Sequence, residues 1–163
     1  TLMNENYAQP DLPEGAAEGV LKGAYRFASR GPEGGRRVTL LGSGAILTEV
    51  VKAAEQLAAR GVGVDVISVT SWSELARDGD ARGEAGHLHT LLAATRGPVI
   101  AASDYVRALP ESVRACVPAG RPYRTLGTDG FGRSDTRAAL RRFFQVDADS
   151  IAAAALAASG GAH

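Results

Sequence analysis

Cysteine is almost absent from this 163-residue chain. Cys116 stands alone, which excludes an internal disulfide framework and fits a reducing cytoplasm. Excess charge is missing as well: eighteen basic and eighteen acidic residues cancel. No polycation is left to hold nucleic-acid phosphates or an anionic membrane surface. The longest apolar run, residues 151–158, is about half of what a bilayer crossing needs. No basic and apolar leader opens the chain, so nothing marks it for export. Methionine occurs only as Met3, behind Thr1, which suggests a piece excised from something longer. Internal repeats are absent, and only the alanine run is low in complexity.

What is present is an ordinary globular composition, 45% hydrophobic, in a length suited to one domain with a real core. Residues 1–13 are polar, aperiodic and carry Pro10 and Pro13, and read as an extended linker; residues 14–163 read as the domain. A short helix over 14–22 leads to a strand at 24–27 and a turn at 31–35. Residues 37–42 predict a strand feeding a helix in which Leu47, Val50, Val51, Ala54, Leu57 and Ala58 recur at three- and four-residue spacing. Glu49, Lys52 and Glu55 fall outside that stripe, and Gly61 stops the helix. A strand at 64–69 follows, and then Ser71 and Glu74 at capping-box spacing. Residues 77–83 look mobile. Beyond them the pattern predicts a helix near 85–95, an unbroken apolar strand at 98–102, a helix around 105–116 and a strand at 123–126. Ser134 or Asp135 would cap a helix with Ala139, Leu140, Phe143 and Phe144 on its apolar face, making Phe143 a core residue. Asp147 or Asp149 would cap the last helix. Strands alternating with helices imply a three-layer α/β/α domain with an open, mostly parallel or mixed sheet covered on both faces.

Few residues offer chemistry. Gly42-Ser43-Gly44 lies where a dinucleotide loop would be, but Leu47 stands at the third glycine position and no Walker lysine follows, so a tight packing turn is the better reading. Ser43 lacks the flanking glycine of a nucleophile elbow. His87 and His89 are spaced so that a helix would not converge them on one metal, and a surface or interface role fits them better. Cys116 lies among Val113, Ala115 and Val117 and reads as a small buried hydrophobe. The loop from Gly127 to Asp135 leaves three readings open. It is a contact surface, a structural loop whose glycines supply positive φ, or an anion site in which Arg133 offsets Asp129 and Asp135. Trp72, Asp104, Tyr105, Asp129, Phe131 and Arg133 all follow predicted strands. In a parallel sheet such ends gather along one edge, where they would form an interface.

Three stretches carry a resemblance: Met3-Asn4-Glu5-Asn6-Tyr7, Ser68-Val69-Thr70-Ser71-Trp72-Ser73-Glu74-Leu75-Ala76-Arg77-Asp78-Gly79, and Thr125-Leu126-Gly127-Thr128-Asp129-Gly130-Phe131-Gly132-Arg133-Ser134-Asp135. Together they resemble the C-terminal domain of the bacterial, homodimeric, thiamine-diphosphate-dependent pyruvate dehydrogenases, from Met3 to about Ala155. The resemblance implies a fold like the transketolase C-terminal domain, placed in a cytoplasmic enzyme that decarboxylates pyruvate with thiamine diphosphate and magnesium. It also implies as partners the other domains, the homodimer mate and the dihydrolipoyl acetyltransferase whose lipoyl group is acetylated. The family's Gly-Asp-Gly motif does not occur here, since Arg77 precedes Asp78-Gly79 and the only asparagines, Asn4 and Asn6, lie upstream. No catalytic, cofactor-binding or metal residue is therefore carried over, and the isolated chain is expected to be inactive. The segment between Gly79 and Leu92 departs from relatives, being shorter and richer in Gly and Ala. The competing readings are a freestanding α/β interaction module and a small nucleotide-binding protein.

Overall fold

The computed structural model describes residues 10–160; Met3 to Tyr7 and most of the expected linker lie outside the described residues. Five strands form one sheet in the order β1-β3-β2-β4-β5. They are β1 (Ala24–Arg30), β2 (Arg37–Ser43), β3 (Gly63–Val69), β4 (Val99–Ala102) and β5 (Tyr123–Leu126). Strands β3, β2, β4 and β5 run parallel, and β1 pairs antiparallel with β3. The mostly parallel, mixed sheet expected from the sequence is the one found.

Strand alternation sends successive side chains to opposite faces. Val38, Leu40, Val64, Val66, Ile100 and Ala102 meet helices α2 (Ile46–Ala59) and α7 (Ala148–Gly160) on one face. Leu41, Ile67, Val69, Val99 and Ala101 meet α3 (Trp72–Arg82) and α4 (His87–Ala93) on the other. Every residue of β4 is buried, as its unbroken apolarity requires. Gly42 fits the packing turn: a Cβ there would stand 2.8 Å from Val50 Cγ2.

Five local expectations need correction. Residues 77–82 are helical, continuing α3 from Ser71, whose Oγ accepts from the Glu74 amide at 3.2 Å. Asp78 holds that end down, since its Oδ2 accepts from the His87 amide at 2.5 Å. The helix expected around 105–116 is only α5 (Ala108–Glu111) and a 3-10 turn at Arg114–Cys116, and residues 103–107 form a loop. The helix α6 (Arg137–Phe143) is capped by Thr136, whose Oγ1 accepts from the Ala139 amide at 3.3 Å, and not by Ser134 or Asp135. It buries no residue. Phe143 is 55% exposed and is not in the core; half-buried Phe144 packs inward instead, with the two rings edge to face at 5.0 Å. Finally, Glu49 is buried and not outside the stripe. For α7, Asp147 is the capping residue, its Oδ1 accepting from the Ser150 amide at 3.1 Å.

Polar staples close the opposite edge of the sheet, where the parallel strands begin. Asp65, 1% exposed, accepts from Arg37 Nε at 2.7 Å and Nη2 at 2.9 Å, from Arg26 Nη2 at 2.5 Å and from Ser29 at 3.2 Å. Arg121 donates to the Gly97 and Leu92 carbonyls at 2.7 and 2.5 Å and to the Thr39 and Thr95 hydroxyls at 2.9 and 3.0 Å. Burial pulls its guanidinium below the ordinary pKa.

Candidate functional site

The opposite edge, where the parallel strands end, is built differently. From β2 the chain turns one way to β3 and then crosses to β4 on the other side, so β2 and β4 part at a topological switch point. Such crevices are where open α/β sheets place ligands and contacts. Ser43 at the end of β2 and Ser103 after β4 meet across this point, hydroxyl to hydroxyl at 3.2 Å, and Ser103 Oγ also accepts from the Tyr105 amide.

The loops after β4 and β5 are stitched together. The Thr128 amide and hydroxyl donate to the Tyr105 and Asp104 carbonyls at 2.9 and 2.7 Å. Asp129 accepts from the Arg107 amide at 2.8 Å and from Arg107 Nε at 2.6 Å. These bonds, the amide's first, hold the Asp129 carboxyl below its usual range. Phe131 stands at the loop tip, 96% exposed, beyond Gly130 at φ +94°. Arg133 lies over the Phe143 ring at 4.1 Å.

The structure thus brings five of the six residues singled out from the sequence, Asp104, Tyr105, Asp129, Phe131 and Arg133, into two neighbouring loops. Trp72 is the exception. It is 5% exposed and packs with Leu75 and Val69 inside the core, and its Nε1 has no hydrogen-bond partner among the described residues. Its large apolar surface is used within the domain.

Two further groups were hidden from sequence reasoning. Arg107 has no signal of its own, because its partner Asp129 lies 22 residues away. Glu49 ties three helices: it accepts from Arg141 Nη1 at 3.0 Å, from Lys52 at 3.0 Å and from the Ala148 amide at 3.2 Å. Only the Lys52 spacing was visible in the chain.

A groove of about 280 Å³ opens between these parts. Ile46, Leu140, Phe144 and Val146 give it an apolar lining, which Arg133, Arg137 and Arg141 share with one carboxylate residue, Asp104.

Nucleophile and metal chemistry find little support in the described residues. Cys116 is buried, and burial pushes its thiol pKa up. His87 Nε2 meets the Ala24 carbonyl at 2.7 Å. Among the described residues no three His, Cys, Asp or Glu side chains converge as metal ligands. Asp78, beside Gly79, is engaged by the His87 amide and by Arg82 at 3.5 Å. These residues do not fit a magnesium-diphosphate site.

The fold and its loop-bearing edge define a class, and the comparisons agree. The sequence model of the transketolase-like TK C-terminal domain matches residues 23–147, and the chain belongs to that family. Transketolase from Leishmania mexicana superposes with a TM-score of 0.62 at 21% identity, over 88% of this chain and 19% of that one. A transketolase from Pichia stipitis in complex with sedoheptulose-7-phosphate gives 0.64 at 17% identity, over 93% and 20%. At such identities the likeness is one of fold. More specific are the curated relatives, which are named pyruvate dehydrogenase E1 component. The Pseudomonas aeruginosa protein is 47% identical over 97% of this chain, and that of Escherichia coli K12 is 48% identical over 96%. The Mycobacterium tuberculosis protein is 44% identical over 99%. The chain spans about a fifth of the length of these relatives, 18–19%.

Proposed function

We propose that this chain serves as the C-terminal domain of a pyruvate dehydrogenase E1 component. The intact enzyme would decarboxylate pyruvate with thiamine diphosphate and magnesium and acetylate the lipoyl group of dihydrolipoyl acetyltransferase. It would do so as a cytoplasmic homodimer, with residues 1–13 as the linker into residues 14–163. The observation that carries this reading is the 47% identity to such a component over 97% of the chain. The domain supplies contacts and no reacting group. Isothermal calorimetry should accordingly detect no binding of thiamine diphosphate to the isolated chain with magnesium present, and pyruvate should persist. Micromolar, magnesium-dependent binding would overturn this.

The contact face is the edge carrying Asp104, Tyr105, Asp129, Phe131 and Arg133, and it seats neighbouring domains or the homodimer mate. Supporting it is a fully presented aromatic on a braced loop, flanked by Tyr105, Val106 and Phe143, each more than half exposed. Aromatic anchors carry much of an interface's energy, so Phe131→Ala in the intact enzyme should weaken assembly by about 2 kcal/mol or more. The urea midpoint of the isolated chain should not move. Sedimentation decides the matter, and equal dimer dissociation constants for parent and variant would remove Phe131 from the interface.

A further inference from the structure

We infer that the groove at the β2/β4 switch point is a binding site for a small organic anion, one with a carboxylate or phosphate head and a short apolar body. This goes beyond the contact role of the outer loop, because the groove lies between that loop, the start of α2 and α6.

Three independent observations carry it. The first is position: Ile46 follows β2 and Asp104 follows β4, so the groove occupies the crevice at which the strand order reverses. The second is composition. In a chain whose charges cancel, three arginines line one cavity together with Ile46, Leu140, Phe144 and Val146. That pairing of an apolar lining with a few convergent polar groups is what small-molecule sites share, and the volume suits a compact ligand. The third is the state of Arg133. It makes no hydrogen bond or ion pair among the described residues, and its guanidinium carbon lies 4.1 Å from the centre of the Phe143 ring. A guanidinium seated on an aromatic ring, with its N–H donors unspent, is suited to a carboxylate or phosphate, which it can grip with two parallel bonds. Arg141 is engaged by Glu49, so the head-group contact falls to Arg133.

Two carboxylates of the Phe131 loop that would repel an anion already have partners. Asp129 is spent on Arg107, and Asp135 Oδ1 accepts from the Thr136 amide at 2.7 Å. Asp104 remains as the one carboxylate in the groove lining, outnumbered by three arginines.

The probes are phenyl phosphate, benzoate and uncharged benzyl alcohol, titrated into the 163-residue chain while backbone amide resonances are followed. Phenyl phosphate or benzoate should shift the amides of Ile46 and of residues 128–133 saturably, and the tighter of the two identifies the head group. Arg133→Gln should weaken that binding about tenfold or more, because a charge-assisted pair is lost. Arg114→Gln, which removes a guanidinium stacked on Tyr123 elsewhere, should leave it unchanged. The proposal is overturned by any of three results: no saturable shift through the millimolar range, equal binding by Arg133→Gln, or benzyl alcohol binding as tightly as the anions.

Discussion

Replacing Asp65 with alanine should cost the domain about 3 kcal/mol, read as a fall in the urea midpoint, because it strands a buried guanidinium. Arg37 is nearly enclosed and spends its Nε and Nη2 on this one carboxylate. The same site predicts an acid response. Burial alone would raise the Asp65 pKa, but the hydrogen bonds from Arg37 and Arg26 outweigh it and bring the group from 3.8 to about 2. A carboxylate whose folded pKa lies below its unfolded value stabilises above the unfolded value, and that contribution is lost as pH falls toward the folded one. The parent should therefore lose this stability between about pH 4 and pH 2. Asp65→Ala should show a flatter curve over that interval, and parallel curves would mean that the carboxylate is not held ionised by its arginines.

Gly97→Ala should be more damaging still, at about 4 kcal/mol. Gly97 has φ +77°, and a Cβ on it would stand 1.8 Å from the Arg37 carbonyl oxygen. That contact is backbone on backbone at the point where β2 and β4 begin to pair, so neither side can swing away. The Gly97 carbonyl also receives Arg121 Nε at 2.7 Å, which ties any displacement to the Thr39 and Thr95 bonds. Gly130→Ala is the matched control. Its φ is +94° but nothing lies within 4 Å of the added methyl, so it should cost only the backbone penalty, about 1 kcal/mol. Equal losses from the two substitutions, compared by urea unfolding, would show that close approach at Gly97 is not what limits it.

The sheet was legible because its central strands announce themselves. Residues 98–102 are an unbroken apolar run, which burial on both faces satisfies, and residues 64–69 are rich in Val and Ile between turn residues. The gathering of loops 103–107 and 127–133 on one edge followed from parallel topology. What stayed hidden depended on partners distant in the chain. Periodicity puts Phe143 on the same face as Leu140, but α6 buries none of its residues, so that face stays at the surface. Glu49 looked like solvent dressing until Arg141, 92 residues on, closed over it. The α3 extension past Arg77 has no apolar rhythm, and Asp78 anchors it through an amide nine residues downstream. Trp72 was ambiguous in principle, since cores and interfaces want the same ring.

Because β1 alone runs against its neighbours, the chain enters it at Ala24, opposite Val69, on the same edge as the Phe131 loop. Thr70 pins that entry, its hydroxyl donating to the Val20 carbonyl at 2.8 Å and its amide to the Gly23 carbonyl at 2.9 Å. The entry and the Phe131 loop thus open on the same edge but at the two ends of the sheet, since β1 and β5 are its outermost strands. A load arriving through the residues before Ala24 is passed to the loop-bearing edge across the breadth of the sheet, strand by strand through its ladder. Had β1 run parallel, the entry would fall on the far edge, and the same load would also have to travel the length of a strand.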